Sequence, residues 1–290
     1  MRSVKARSFF GAMAGILLAA VAGGVAAERP EGGAAAQVAI DTPLIAHWTF
    51  DEVSGDKCAD AGGHGWHADT APPTTPLVRL RGLFGNALSL SGSHLLRVSE
   101  QIPLAHAAGI SLSAWAKPTE LSSYREIFRK EDGNDRVLFS FQNDGTILSL
   151  GLNIGGYVEC DAKIAPERVR DGRWHHCAAT FDGRWMRVYL DGDEIGSLER
   201  PGAVRAGGAA AGCIGSSNGG ECFQGSMDDL RIYAGPLSPL QIAQLYRQGL
   251  EVIEQSSEEL VRNIRAVYER GESFAGTLMQ CRQRIVEQRL

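Results

Sequence analysis

The sequence predicts an all-β fold, a two-sheet antiparallel sandwich with a short capped helix near its end and a helical C-terminal appendage. Runs of aromatic and aliphatic residues recur between Leu88 and Ile164, with turn signals such as Asp132-Gly133-Asn134 and Asn143-Asp144-Gly145 between them. Their spacing of about ten residues is the all-β sandwich pattern. Trp174 to Phe181, then Asp182-Gly183, then Arg184 to Leu190 read as a hairpin, because Asp-Gly fits the left-handed backbone of a type I′ turn. A second pair, Asp191-Gly192, ends the second strand. No helical period is sustained until late in the chain.

At the start, Arg2, Lys5 and Arg7 precede an apolar run from Phe9 to Val25, and Val25-Ala26-Ala27 offers small residues for cleavage. Residues 1–27 therefore read as a secretory signal peptide, which places the mature chain in the periplasm or outside the cell. No Cys follows the run, so no lipoprotein is expected. Residues 28–43 are rich in Gly, Ala, Glu and Pro and read as a flexible linker. The net charge of -5 on 290 residues argues against a nucleic-acid partner, since phosphate binding needs a basic patch.

From Leu44 the strands begin. Leu44, Ala46, Trp48 and Phe50 share one face, so the first strand buries its Trp. Residues 55–76, rich in Gly, His, Asp and Pro, read mostly as loop, and His64, Trp66 and His67 within it lack an acid or thiol at zinc spacing. In the hairpin, Met186, Val188 and Leu190 oppose Trp185, Arg187 and Tyr189, the period of a half-buried strand. Its first strand is apolar on both faces and therefore belongs in a more central position.

Ser238-Pro239-Leu240-Gln241 starts a helix, with Ser as N-cap, Pro at the first helical position and Gln three residues after the cap. Ile242, Leu245 and Tyr246 form its apolar stripe, and Gly249 is placed to end it. The domain thus spans 44–249. The tail, 250–290, repeats apolar residues at helical spacing in Leu260, Val261, Ile264, Val267 and Tyr268, with Phe274, Leu278 and Met279 after Gly271 and Gly276. An isolated helix of this kind is marginal in water, so the tail is expected to dock on the sandwich, with homodimer formation as the alternative.

The run Asp171-Gly172-Arg173-Trp174-His175-His176-Cys177-Ala178-Ala179-Thr180-Phe181-Asp182-Gly183, closing on Val188-Tyr189-Leu190-Asp191-Gly192, has ordered companions. They are His47 to Glu52, Gly82-Leu83-Phe84-Gly85-Asn86-Ala87-Leu88, Ile110 to Pro118, and Gly225 to Tyr233. Together these motifs resemble the laminin-G-like jelly-roll domains of the concanavalin A-like lectin/glucanase superfamily, in the form common in secreted bacterial proteins. The resemblance covers about residues 44 to 249 and implies a jelly roll that binds a glycan, a cell-envelope component or a matrix partner.

Glycosidases of that superfamily carry E-x-D-x-(x)-E on one strand, so that acid and nucleophile flank the scissile bond. The acidic clusters Asp51-Glu52, Asp191-Gly192-Asp193-Glu194 and Asp228-Asp229 do not form such a run, and no Gly-x-Ser-x-Gly elbow, Walker loop or H-E-x-x-H appears. The expectation is a non-enzymatic binding module. Its rivals are a structural interaction module without a sugar site and a hydrolase using unrecognised loop residues. His175 and His176 alternate across one strand and read as sheet residues. Exposed aromatics that could stack on sugars are Trp66, Tyr124, Tyr157, Trp185 and Phe223, which the sequence does not rank.

Asp228 shares its strand face with Leu230 and Ile232 and so is expected to point inward, where an unpaired carboxylate is costly. In the resembling family a structural calcium is often held where the first and last strands lie side by side, which implies a site at Asp51 and Asp228. Ser91 stands where that family usually has Asp before Gly92. Six cysteines in an exported chain suggest disulfides. If 157–164 and 174–181 form a hairpin, Cys160 faces Cys177; Cys213 and Cys222 bracket a short loop that a bridge would pin. Cys58 and Cys281 remain.

Overall fold

The computed structural model describes residues 39–71, 76–104, 109–206 and 208–269. The expected signal peptide, most of the linker, and Gly271, Phe274, Gly276, Leu278, Met279 and Cys281 of the tail lie outside the described residues.

In chain order the strands are β1 (Leu44–Trp48), β2 (Lys57–Cys58), β3 (Ala68–Thr70), β4 (Val78–Arg81), β5 (Asn86–Ser91), β6 (Leu96–Val98), β7 (Ile110–Glu120), β8 (Arg125–Asp132), β9 (Asp135–Gln142), β10 (Ile147–Asn153) and β11 (Tyr157–Lys163). After helix α1 (Pro166–Val169) come β12 (His175–Phe181), β13 (Trp185–Leu190), β14 (Asp193–Glu199), β15 (Gly212–Ile214), β16 (Gln224–Tyr233) and helix α2 (Pro239–Glu269). Two antiparallel sheets face each other. The first runs β14-β13-β12-β7-β16-β5-β4, with β1 also paired to β16; the second runs β11-β10-β9-β8-β15-β6-β3-β2. Trp48, Phe128, Phe139, Phe141 and Phe181 fill the space between them, with Trp48 stacked on Phe128 at 6.3 Å between centroids. Each large side chain so buried contributes roughly 1.5–3 kcal/mol.

The hairpin β12–β13 forms as expected, and β12 is central, enclosed between β13 and β7. Its turn differs from the type I′ expectation. The central residues of the turn are Gly183 and Arg184, between Asp182 and Trp185, and only Gly183 takes a positive φ, at 88°, the pattern of a type II′ turn, whereas Asp191 and Gly192 both do, at 54° and 83°. The type I′ turn thus joins β13 to β14, where Leu190 pairs with Asp193.

The other expected hairpin does not exist. β11 pairs with β10 in the second sheet, setting Cys160 opposite Leu150, while Cys177 on β12 lies between Leu190 and Ala114 in the first. The chain changes sheet through α1, so no cross-strand register relates these thiols. Cys160, Cys177, Cys213, Cys222 and Cys58 are all buried and unbridged. Burial pushes the Cys160 thiol up to about 11 and the Cys58 thiol up to about 12, which keeps both protonated.

Helix α2 starts with the expected capping box: the Ser238 amide donates to Gln241 Oε1 at 2.9 Å, and the Gln241 amide to Ser238 Oγ at 3.3 Å. It does not end at Gly249. The helix continues to Glu269, and a Cβ at Gly249 would overlap the Trp115 indole. Gly249 is a contact residue: it lets the helix lie against the outer face of the first sheet, where Ile242 and Leu245 bury with Tyr189 and Tyr233. Beyond it the described part of the tail stripe is not docked as expected, the side chains of Val267 and Tyr268 lying outside the described residues. Val261 is 57% exposed and Ile264 38%.

Candidate functional site

The outer face of the second sheet is built unlike a surface. On β9, Val137, Phe139 and Phe141 enter the core; on β10, Leu148, Leu150 and Leu152 do. The alternating positions must face outward, and they include Leu138, Ser140 and Gln142, then Ser149, Gly151 and Asn153. All are buried, Ser140 and Ser149 completely. Long side chains from neighbouring strands lie over this layer. Gly151 has no side chain because the Tyr157 hydroxyl occupies that space. The Arg136 guanidinium covers the Tyr157 ring at 4.3 Å from its centroid, and Tyr157 donates to Glu159. Gln142 Nε2 also donates to Glu159, at 3.2 Å, and Ser149 Oγ to Asp161 at 2.7 Å.

Towards β15 the lattice becomes ionic. A bulge between Glu126 and Phe128 on β8 turns both Glu126 and Arg129 outward. Arg129 then donates to Glu126 Oε1 at 2.7 Å, to Glu221 Oε2 at 2.6 Å and to Glu131 Oε2 at 2.6 Å. Glu131 also receives Arg136. Glu126 is fully buried, and burial outweighs Arg129 to push its carboxyl up to about 8. Its Oε2 and the Arg136 Nε are buried without a hydrogen-bond partner. A groove of about 540 Å³ opens beside this cluster, lined by Arg97, Arg129, Glu131, Cys213, Ser217 and Asn218. Register explains the lining, because Cys213 pairs with Arg97 on β6 and with Arg129 on β8.

The two residues expected to hold calcium meet at the turn between β4 and β5. Asp228 Oδ2 accepts the Leu83 and Phe84 amides at 2.8 and 3.0 Å, and Asp51 Oδ1 accepts the Asn86 amide at 2.8 Å. The expected inward direction of Asp228 is overturned. β16 bulges at Asp229, whose φ is 53°, so Asp228 stands opposite Trp115 while Ile232 stands opposite Leu112 in the core. The bulge falls where β16 exchanges its partner β5 for β1, which reverses the parity of the alternation. Asp228 is nevertheless fully buried, because the β4–β5 turn covers it. Burial raises its carboxyl to about 7, the Phe84 amide opposing this and Asp229 and Asp51 adding to it. Asp228 Oδ1 has no partner. An oxygen with free lone pairs beside a second carboxylate suits a hard cation, but among the described residues no third His, Cys, Asp or Glu joins them. Backbone carbonyls and water would have to complete the shell.

The family model described as the concanavalin A-like lectin/glucanases superfamily matches residues 90–243. The chain belongs to this superfamily. No curated protein matches it. Among solved structures it is similar to domain 4 of AbnA, a GH43 extracellular arabinanase from Geobacillus stearothermophilus, in complex with arabinotriose. The identity is 25%, over 71% of this chain and 98% of that one, with a TM-score of 0.57. It also resembles the binding domain of Paraclostridial Mosquitocidal Protein 1 (14% identity, 70% of this chain and 52% of that one, TM-score 0.55). The botulinum neurotoxin serotype D binding domain gives 16% identity, 71% and 51% coverage and a TM-score of 0.54. The chain spans about half the length of these two binding domains, and the likeness to them is one of fold.

Of the aromatics singled out in this concanavalin A-like chain, only Tyr157 belongs to the outer lattice. Phe223 is in the core, Trp66 packs against it, Trp185 is on the first sheet and Tyr124 is exposed before β8. His175 and His176 lie on β12, as the alternation predicts. His176 is buried with Nε2 against Ser113 Oγ at 2.8 Å, and burial lowers it to about 4. His175 bridges Asp171 and Asp191 at 3.0 and 3.1 Å. The loop holding His64 and His67 is organised instead by Asp60, whose carboxylate accepts the amides of His47, Gly62, His64 and Trp66. Cys213 and Cys222 flank the groove loop separately, with Cys222 Sγ near Gly219 O at 3.5 Å. Among the described residues no helix is long and apolar enough to cross a membrane.

Proposed function

We propose that the chain is an exported, non-catalytic module that binds an oligosaccharide on the outer face of the second sheet. The observation that carries this reading is the buried Ser, Gln and Asn layer under a fixed lattice of Arg, Glu and Tyr beside a groove. Sugars are recognised by such planar, preorianted donors and acceptors, here already held in place by one another. The likeness over 98% of an arabinanase domain solved with arabinotriose supports a furanose or pyranose oligomer over other ligands. Calorimetry against arabino-oligosaccharides and a panel of plant and bacterial glycans tests it. Binding is expected, with a loss of at least about tenfold in Glu131→Gln. No binding across the panel sinks the reading, and release of reducing ends from any of them sinks the non-catalytic part.

Calcium at Asp51 and Asp228 is proposed as a structural ion that fixes the β4–β5 turn. The folded Asp228 carboxyl sits above its unfolded value, so its stabilising contribution is full below about pH 4 and is lost as pH rises through about 7. Without calcium the melting temperature is expected to fall between pH 5 and 8, within the range where about 1 kcal/mol moves it by a few degrees. Millimolar calcium should restore it at pH 8, and Asp228→Asn should respond to neither. A melting point indifferent to calcium at pH 8 would sink the metal, whatever the glycan result.

A further inference from the structure

The stripe that seats α2 does not stop where its contact with the sheet stops. Ile242, Tyr246 and Gly249 meet the sheet, and at about 100° per residue the same face continues through Ile253, Ser257, Leu260 and Ile264, with Val261 on its flank. Ile253 is 36% exposed, Val261 57% and Ile264 38%. The charges along this stretch are sorted by end. Residues 250–259 hold Glu251, Glu254, Glu258 and Glu259 and no base, whereas 260–269 hold Arg262 and Arg265 against Glu269 alone. The Glu258–Arg262 pair within the helix is long, at 3.8 Å, and exposed.

We propose that this face is covered by the same face of a second copy of the chain, packed antiparallel about a two-fold axis near Leu260 and Val261. Antiparallel packing sets the acidic half of each helix against the basic half of the other and opposes the two macrodipoles; parallel packing would stack carboxylate on carboxylate. Bulk is matched as well. About that axis Leu260 meets Val261, and Ile264 falls at the level of the small Ser256 and Ser257, a self-complementary pattern that a two-fold interface requires. One helix face per copy is a small interface, so association is expected in the micromolar range. The inference stands apart from the glycan reading, but if both hold, the dimer presents two sheets to one polymer and gains avidity.

Sedimentation of the chain between about 1 and 100 μM should show a monomer–dimer equilibrium. Leu260→Glu/Ile264→Glu should raise its dissociation constant at least about a hundredfold and leave the melting of the sandwich unchanged. Orientation is read from nitroxide labels in a Cys281→Ser background. Label pairs at Val261→Cys should lie about 10 Å apart and those at Ile253→Cys about 25 Å apart. A chain that stays monomeric, a dimer that survives the double substitution, or equally short distances at both positions overturns the proposal.

Discussion

At about pH 9, where the Glu126 carboxyl is ionised, Arg129→Met is expected to destabilise the fold by about 3–5 kcal/mol and to abolish glycan binding together. Arg129 is the countercharge of Glu126, Glu131 and Glu221, and Glu126 is fully buried. Removing the guanidinium leaves that carboxylate without its donor in an apolar setting, a larger loss than any surface ion pair would cause. The Glu126 carboxyl already sits near 8, so its contribution is present at low pH and lost as pH rises through about 8; the variant should therefore be least stable in mild alkali. Denaturant midpoints measure this, and Glu126→Gln added to Arg129→Met should recover much of the loss, since the two sites are coupled. A loss under about 1 kcal/mol, or one that Glu126→Gln does not ease, would show that the lattice is only surface decoration.

Gly249→Ala should lower stability by about 1–3 kcal/mol, and Gly249→Leu by more, with a changed near-ultraviolet signal from Trp115. The sign is what discriminates. In an exposed helix interior Ala is favoured over Gly by about 1 kcal/mol, so propensity alone predicts stabilisation. Overlap with the indole predicts the reverse, because α2 must lift off Trp115 and loosen the Tyr246 ring stacked 5.9 Å from it. An equally or more stable alanine variant would return Gly249 to the role of an ordinary helix residue.

Much of the fold was legible locally. The β12–β13 hairpin, the buried Trp48 and the capping box at Ser238 and Gln241 each depend on residues within a few positions of one another, where turn preference, alternation and capping decide the structure. The covered outer layer of the second sheet was written in the same alternation, as Leu, Ser and Gln between Val and Phe on β9 and Ser, Gly and Asn between Leu on β10. It passed unread because small polar residues on an outer face look like weak strand rather than like a covered layer. Only the side chains of Arg136, Tyr157 and Glu159, brought over it in the folded sheet, show it to be a covered layer.

The sequence by itself determined the class of this protein: the superfamily motifs, the period-2 strands and the cap of α2 need no long-range information. Sheet membership, parity and helix length were decided by tertiary structure. α1 carries the chain from one sheet to the other and parts Cys160 from Cys177. The bulge at Asp229 reverses the face of Asp228, because one extra residue inverts every alternation that follows it. Gly249 reads as a terminator in one dimension and as a space for Trp115 in three, since a glycine's missing side chain records a neighbour that only folding supplies.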